Sequence, residues 1–190
     1  MTGLSLWQIE LIPWYVFAVF WLITALRTRR VKAAEKSADR LATLAVMCVA
    51  FFLLFDDRWR TGPLDRRFLL AENWIAWAGI VLTCLGVAIA IWARLCLGEY
   101  WSARVTLKEG HQLIRSGPYR YVRHPIYTGM LLGAVGATLV LGEWRGVLAV
   151  VLILATHSRK AAREEALLRA EFGEEYAAYQ RSTGFLFPGL

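Results

Sequence analysis

From Trp74 to Leu97 the sequence is an unbroken apolar stretch in which Arg94, near its end, is the one formal charge. An α-helix needs about 20 mainly apolar residues to cross the hydrocarbon core of a bilayer, where every backbone polar group must be satisfied within the segment. Leu4 to Leu26 is a second run of that length. Leu41 to Phe55 is shorter but uncharged, and it follows a cap-like Ser37 and Asp39, so it spans where the bilayer thins or neighbouring helices shield its ends. From Ile126 to Thr156 the chain is apolar except for Gly142-Glu143-Trp144-Arg145-Gly146. A charged pair between glycines is expensive in lipid, so that break reads as a hairpin turn. The second arm, Val147 to Thr156, is too short to cross alone. Its helical pattern continues through the charged stretch Arg159 to Arg181, which predicts one helix leaving the membrane and carrying on into water. Leu167, Leu168, Phe172, Tyr176 and Tyr179 recur there at helical spacing, and Tyr176 and Tyr179 share a face.

The expected fold is therefore all-α: a polytopic membrane protein with about five transmembrane helices, the last two a hairpin, plus a cytosolic C-terminal helix. With 57% hydrophobic and 19% charged residues and no Ser- or Gly-rich linker, the chain reads as a single membrane domain over 1–190. Its N-terminal spans fill 1–97, and 98–190 forms the half that carries the chemistry. The first apolar stretch lacks the basic start and small-residue cleavage pattern of a removable signal and reads as a retained span. Arg94 is the charge placed deepest in a span, too little for a translocation path.

The formal charge of +7 does not form a basic stripe with interleaved aromatics, so nucleic acid is not an expected partner. The basic residues instead flank the spans. Arg27, Arg29, Arg30, Lys32, Lys36 and Arg40 lie between spans one and two, Arg104, Lys108, Arg115, Arg120 and Arg123 between three and four, and Arg159, Lys160, Arg163, Arg169 and Arg181 in the tail. The opposite loops hold Arg58, Arg60, Arg66, Arg67 and Arg145, the first four diluted by acids. This alternation places the N-terminus outside and the three basic blocks in the cytoplasm, where the Glu99 to His124 loop and the tail meet even if the hairpin is re-entrant. The compact chain points to a bacterial plasma membrane. Cys48, Cys84 and Cys96 lie in apolar segments without metal-ligand spacing and read as packing residues. Trp7, Trp14, Trp21, Trp59, Trp74, Trp77, Trp92, Trp101 and Trp144 fit interfacial belts and helix packing, Gly79, Gly86, Gly133 and Gly136 close helix contacts, and His157 a cap on the last span.

The stretch Lys108 to Gly129 is unusually polar and aromatic for a connector. Pro125 pushes His124 out of helical geometry and suits the first turn of the next helix, so His124 is expected just before a helix N-terminus. Free N–H groups and the helix dipole favour carboxylate or phosphate there, although Arg123 and His124 serve equally as headgroup anchors. The second constellation is Glu164-Glu165 within Arg163 to Tyr179. Adjacent glutamates on a helix point about 100° apart, so one faces a given pocket while the other pairs with a basic residue. Alone, that pair reads as a solvated helix face.

Together and in this order, Gly117-Pro118-Tyr119-Arg120, Arg123-His124-Pro125, Tyr127, Gly129, Glu164-Glu165, Leu168, Phe172-Gly173, Tyr176 and Tyr179 resemble the isoprenylcysteine carboxyl methyltransferase and phospholipid N-methyltransferase family. The resemblance covers roughly the C-terminal half. It implies a membrane methyltransferase using S-adenosylmethionine, held on the cytoplasmic side by His111, Tyr119, His124, Pro125, Tyr127, Glu164 and Glu165, with no metal. It further implies a lipophilic acceptor: a prenylated peptide carboxylate, a phospholipid amine or a small apolar molecule reached from the membrane lipids. A carboxylate is already ionised, and Arg163 or Arg159 would orient it; an amine would need His124 or a glutamate such as Glu164 as base. The basic residue that the family places before the glutamate pair has three candidates here, Arg159, Lys160 and Arg163. An NADPH-dependent membrane reductase and a non-enzymatic membrane subunit are the competing readings, and the oligomeric state is open.

Overall fold

The computed structural model describes residues 4–25, 31–34, 37–56, 62–101, 106–108 and 113–189. His111, Trp59 and the basic residues Arg27, Arg29, Arg30, Lys36, Arg58, Arg60 and Arg104 lie outside them. Five helices dominate: α1 (Leu6–Ala25), α2 (Ser37–Phe55), α3 (Asn73–Leu97), α4 (Pro125–Leu141) and α5 (Trp144–Ser182). Of these, α1 and α3 are long and apolar enough to cross a membrane, and α2 and α4 contain shorter apolar stretches. The second helix begins at Ser37 rather than Leu41, so the residue read as a cap lies inside it. A short ribbon was not expected: β1 (Val31–Ala34) pairs antiparallel with β2 (Thr106–Lys108), with Ala34 opposite Thr106. It joins two linkers that charge alternation assigns to the same side.

Helices α3 and α4 approach backbone to backbone. A Cβ on Gly79 would stand 2.6 Å from the Gly136 carbonyl oxygen, and one on Gly86 would overlap the backbone of Gly129 and Gly133. Small residues allow this approach, and in lipid such close van der Waals contact is a main source of helix association. Trp14 of α1 closes over Gly133 and meets Phe51 and Phe55 of α2 edge-on. A second apolar core joins α2, α4 and α5 through Ala50, Leu54, Leu131, Ala134, Ala137, Ala149 and Ile153.

The outward surface is apolar. Val16, Val19, Leu22 and Ile23 of α1, Val81, Leu85 and Leu95 of α3, and Val151 and Leu154 of α5 are exposed, as are Trp74, Trp77, Trp92 and Trp144 near helix ends. That is the surface expected of a bundle solvated by lipid. Cys48 and Cys84 belong to this outer surface instead of the packed interior, and Cys96 is partly buried. One carboxylate corrects the expectation that Arg94 is the deepest charge. Glu10 of α1 is fully buried, and its Oε1 accepts hydrogen bonds from Thr83 Oγ1 at 2.7 Å and Trp14 Nε1 at 3.2 Å.

The α4–α5 turn is the predicted hairpin: Gly142 takes φ +69° and α5 starts at Trp144. Arg145, 1% exposed, donates from Nε to Glu143 Oε2 at 2.6 Å and from Nη1 to the carbonyls of Leu53 and Asp56. Arg67 Nη1 donates to the Leu141 carbonyl at 3.0 Å. The pair that would be costly in lipid is thus buried and partnered, which is how such groups persist. At the other end α5 is not one continuous helix. Gly173 has φ 52° and ψ −125°, a conformation that a side chain disfavours, and it folds residues 174–182 away from the axis of 144–172.

Candidate active site at the loop and tail junction

His124 is the N-cap residue of α4 and Pro125 its first residue. The missing Pro N–H is one that a helix start leaves unpaired anyway, so this dipeptide fixes where α4 begins. Gly117–Arg120 forms a single 3-10 turn just before it, with Pro118 and Tyr119 buried. Three strands of contact then bind loop to tail. Tyr179 Oη donates to the Tyr119 carbonyl at 2.6 Å, Arg115 Nη2 to Glu175 Oε1 at 2.7 Å, and Arg123 Nε to Glu165 Oε1 at 2.6 Å.

Those contacts place His124 against both glutamates. Its Nε2 lies 3.3 Å from Glu165 Oε1, and its Nδ1 lies 3.6 Å from Glu164 Oε2. Tyr127, one turn into α4, donates to Glu164 Oε1 at 2.7 Å and stacks on the His124 ring at 5.6 Å. Burial works against a charged imidazole, but the two carboxylates outweigh it and raise the His124 pKa above 6.5. Burial likewise opposes ionisation of the glutamates. His124, with Lys160, nevertheless lowers Glu164, and His124 with Arg123 brings Glu165 down to about 2. The cluster is an imidazole held between two carboxylates that favour its protonated form.

The glutamates are not equivalent. Glu165 is occupied at both oxygens, Oε1 by Arg123 and His124 and Oε2 by Gln180 Nε2 at 2.6 Å. Arg123 Nη1 also reaches the Thr183 carbonyl, so Glu165 sits in a framework linking the loop, α5 and the chain beyond Gly173. The Glu164 side chain is 23% exposed against 14% for Glu165. It is the more exposed of the two, with Oε1 held by Tyr127 and Oε2 facing His124.

The other sequence candidates are scattered. Tyr119 is buried with Ala93, Trp101 and Ile126, and burial pushes its phenol far above the ordinary range. Pro125 is fully buried. Arg159 is exposed, and Arg163 pairs with Asp39 of α2 at 3.1 Å. Of the three basic residues before the glutamate pair, Lys160 is the one lying over the Tyr127 ring, at 5.6 Å. His157 does not cap a helix; it is buried, 5% exposed, and stacks on Tyr127 at 4.6 Å.

Sequence reasoning missed the segment beyond α5. Arg123 N and His124 N donate to the carbonyls of Gly184 and Phe185, and Gly184 N donates to the Tyr121 carbonyl. Thr128 Oγ1 donates to the Leu186 carbonyl at 2.6 Å, and Phe185 meets the His124 ring edge-on. The signal was the apolar Phe185-Leu186-Phe187 following a charged helix.

Fold and cluster define a helical, membrane-like protein with a carboxylate–imidazole cluster where the start of α4 meets α5. Residues 79–169, which include His124, Tyr127 and both glutamates, match the family model of isoprenylcysteine carboxyl methyltransferase (ICMT). Through that segment the chain is similar to the ICMT family. It is 34% identical over 114 residues to a probable protein-S-isoprenylcysteine O-methyltransferase of Oryza sativa subsp. indica, covering 58% of this chain and 60% of that protein. It is 35% identical over 101 residues to the protein-S-isoprenylcysteine O-methyltransferase of Schizosaccharomyces pombe, covering 52% and 43%. The cobalt-zinc-cadmium resistance protein CzcN of Cupriavidus metallidurans is 34% identical over 123 residues, covering 62% and 53%. The chain thus spans about half the length of the relatives it matches.

Proposed function

We propose that this chain is a membrane methyltransferase that uses S-adenosylmethionine to methylate the carboxylate of a prenylated cysteine or a similar lipophilic acid. The observation that carries the proposal is the meeting of His124 and Tyr127 from the start of α4 with Glu164 and Glu165 from α5, inside the matched segment. The reading includes five spans with the N-terminus outside, the cluster facing the cytoplasm of a bacterium, residues 1–97 toward the acceptor and lipid, and 98–190 holding the cofactor.

The residues fit such a cofactor. A partly exposed carboxylate that His124 and Lys160 keep ionised against the cost of burial suits ribose hydroxyls or an amino group. When bound, S-adenosylmethionine supplies an electrophilic methyl group on a sulfonium. Glu164 would hold it, while Tyr127 and His124 aim Glu164 and Glu165 with Arg123 and Gln180 keeps the frame rigid. Charge disperses as a sulfonium loses its methyl group, so the protein's task is alignment and exclusion of water. An acceptor carboxylate needs no base, and the cation that orients it is Lys160, ahead of Arg159 and Arg163.

Calorimetric titration of the detergent-purified protein with S-adenosylhomocysteine, with NADPH as control, tests the proposal. Saturable binding of S-adenosylhomocysteine alone is expected. Binding of NADPH alone would overturn it in favour of a reductase.

A further inference from the structure

His157 is the one buried imidazole, among the described residues, that the cluster above leaves out. Both its ring nitrogens lack a hydrogen-bond partner, although the side chain is 5% exposed. A buried polar ring in that condition is a cost, and few such groups persist without a purpose. Its position is specific. It lies seven residues before Glu164 on α5, about 10 Å further up the helix at 1.5 Å per residue. That is where α5 changes from the apolar run ending at Thr156 to the charged run starting at Arg159. One turn further on the membrane side, Ile153 is 1% exposed in the apolar core.

Tyr127 connects the two levels. Its hydroxyl donates to Glu164 while its ring stacks on His157 at 4.6 Å, and the Lys160 ammonium lies over the same ring. One tyrosine therefore separates the more exposed carboxylate from an unpartnered imidazole at the end of the apolar run of α5.

We propose that His157 is a binding residue for the methyl acceptor, donating a hydrogen bond to the acidic head of a lipid-anchored molecule whose tail stays among the apolar helices. This rests on the methyltransferase reading. It adds to it that acceptor and cofactor are recognised at different depths, by His157 and Glu164 respectively. An imidazole N–H supplies the donor and Lys160 the charge, so an acidic head that arrives from the bilayer finds both before it meets the cofactor's level.

The test compares His157→Phe and His157→Asn with the wild type. S-adenosylhomocysteine affinity is measured by calorimetry and steady-state kinetics with N-acetyl-S-farnesylcysteine as the acceptor probe. His157→Phe keeps the ring that stacks on Tyr127 and removes the donor. It is expected to raise KM for the probe by about ten- to a hundredfold, the effect of one hydrogen bond to a charged group, with S-adenosylhomocysteine affinity unchanged. His157→Asn, which keeps a donor, is expected to recover part of that loss and serves alone if the phenylalanine variant does not fold. An unchanged KM in His157→Phe overturns the proposal, as does a KM raised equally in both variants or a loss confined to S-adenosylhomocysteine binding. A wild type that binds S-adenosylhomocysteine but never methylates the probe removes the acceptor reading and this inference with it. One that binds no S-adenosylhomocysteine removes the methyltransferase itself.

Discussion

The α4–α5 hairpin carries an arginine–glutamate pair at each end, buried at the turn and partly buried at the open ends, and the two are built for different tasks. At the turn, Arg145 is 1% exposed and spends its donors on Glu143 and on the carbonyls of Leu53 and Asp56. At the open ends, Arg123 and Glu165 are joined by His124, and beside them stand Glu164, partly exposed, and His157, unpartnered. The first network ties its arginine to the turn and to the end of α2. The second has capacity left over, and unsatisfied polar capacity in an otherwise packed protein is where a ligand gains most from binding.

That contrast breaks most decisively at Arg145. Arg145→Ala should destabilise the protein by about 3–5 kcal/mol, because Glu143 is left buried without its partner. A lower midpoint in detergent-induced unfolding is the expected readout, and an unchanged midpoint would mean the turn is not a structural lock. Glu165→Ala should cost about 3 kcal/mol by the same reasoning and weaken S-adenosylhomocysteine binding only in proportion to the folded fraction. Glu164→Ala should do the reverse, lowering S-adenosylhomocysteine affinity about ten- to a hundredfold with little change in unfolding midpoint; equal effects of the two variants would erase the proposed division of labour. Gly173→Ala, which forces a side chain into a disfavoured conformation, should cost about 1–3 kcal/mol and loosen the segment that follows, seen as faster amide exchange at Arg123, His124 and Gly184.

Proton concentration sharpens the comparison with the gentlest perturbation. Glu165 falls from an ordinary 4.5 to about 2 in the folded chain, so its stabilisation is present above 4.5 and lost as the pH falls toward 2. His124 is raised above 6.5; its contribution is full below 6.5 and lost as the pH rises through the folded value. The junction should be firmest between roughly 4.5 and 6.5, the window bounded by those ordinary values, and amide exchange at the tail against pH would reveal it.

Helices and their boundaries were largely legible in the sequence, because lipid demands long apolar runs and because Glu143 and Arg145 can only mark a turn. The pairing of His124 with the glutamates followed from putting basic linkers on one side. What was hidden depended on distances no periodicity encodes. Glu164 and Glu165 are adjacent in sequence, and only the placement of Arg123 and Gln180 separates their surroundings. Segment 183–189 has irregular backbone, which leaves no repeat to read. Glu10 was lost because one carboxylate hardly dents the average apolarity of a span, although it is buried against Thr83. His157 looked like a boundary residue because its burial depends on Tyr127 of another helix.

The glycine seam between α3 and α4 also governs how the bundle deforms. Where side chains interdigitate, neighbouring helices slide by exchanging rotamers, but backbones in direct contact have nothing to exchange. The two helices act as a single beam with His124 fixed to one end of it. A molecule diffusing in the plane of the bilayer cannot part that beam, so any doorway to His157 must open along another stretch of the perimeter.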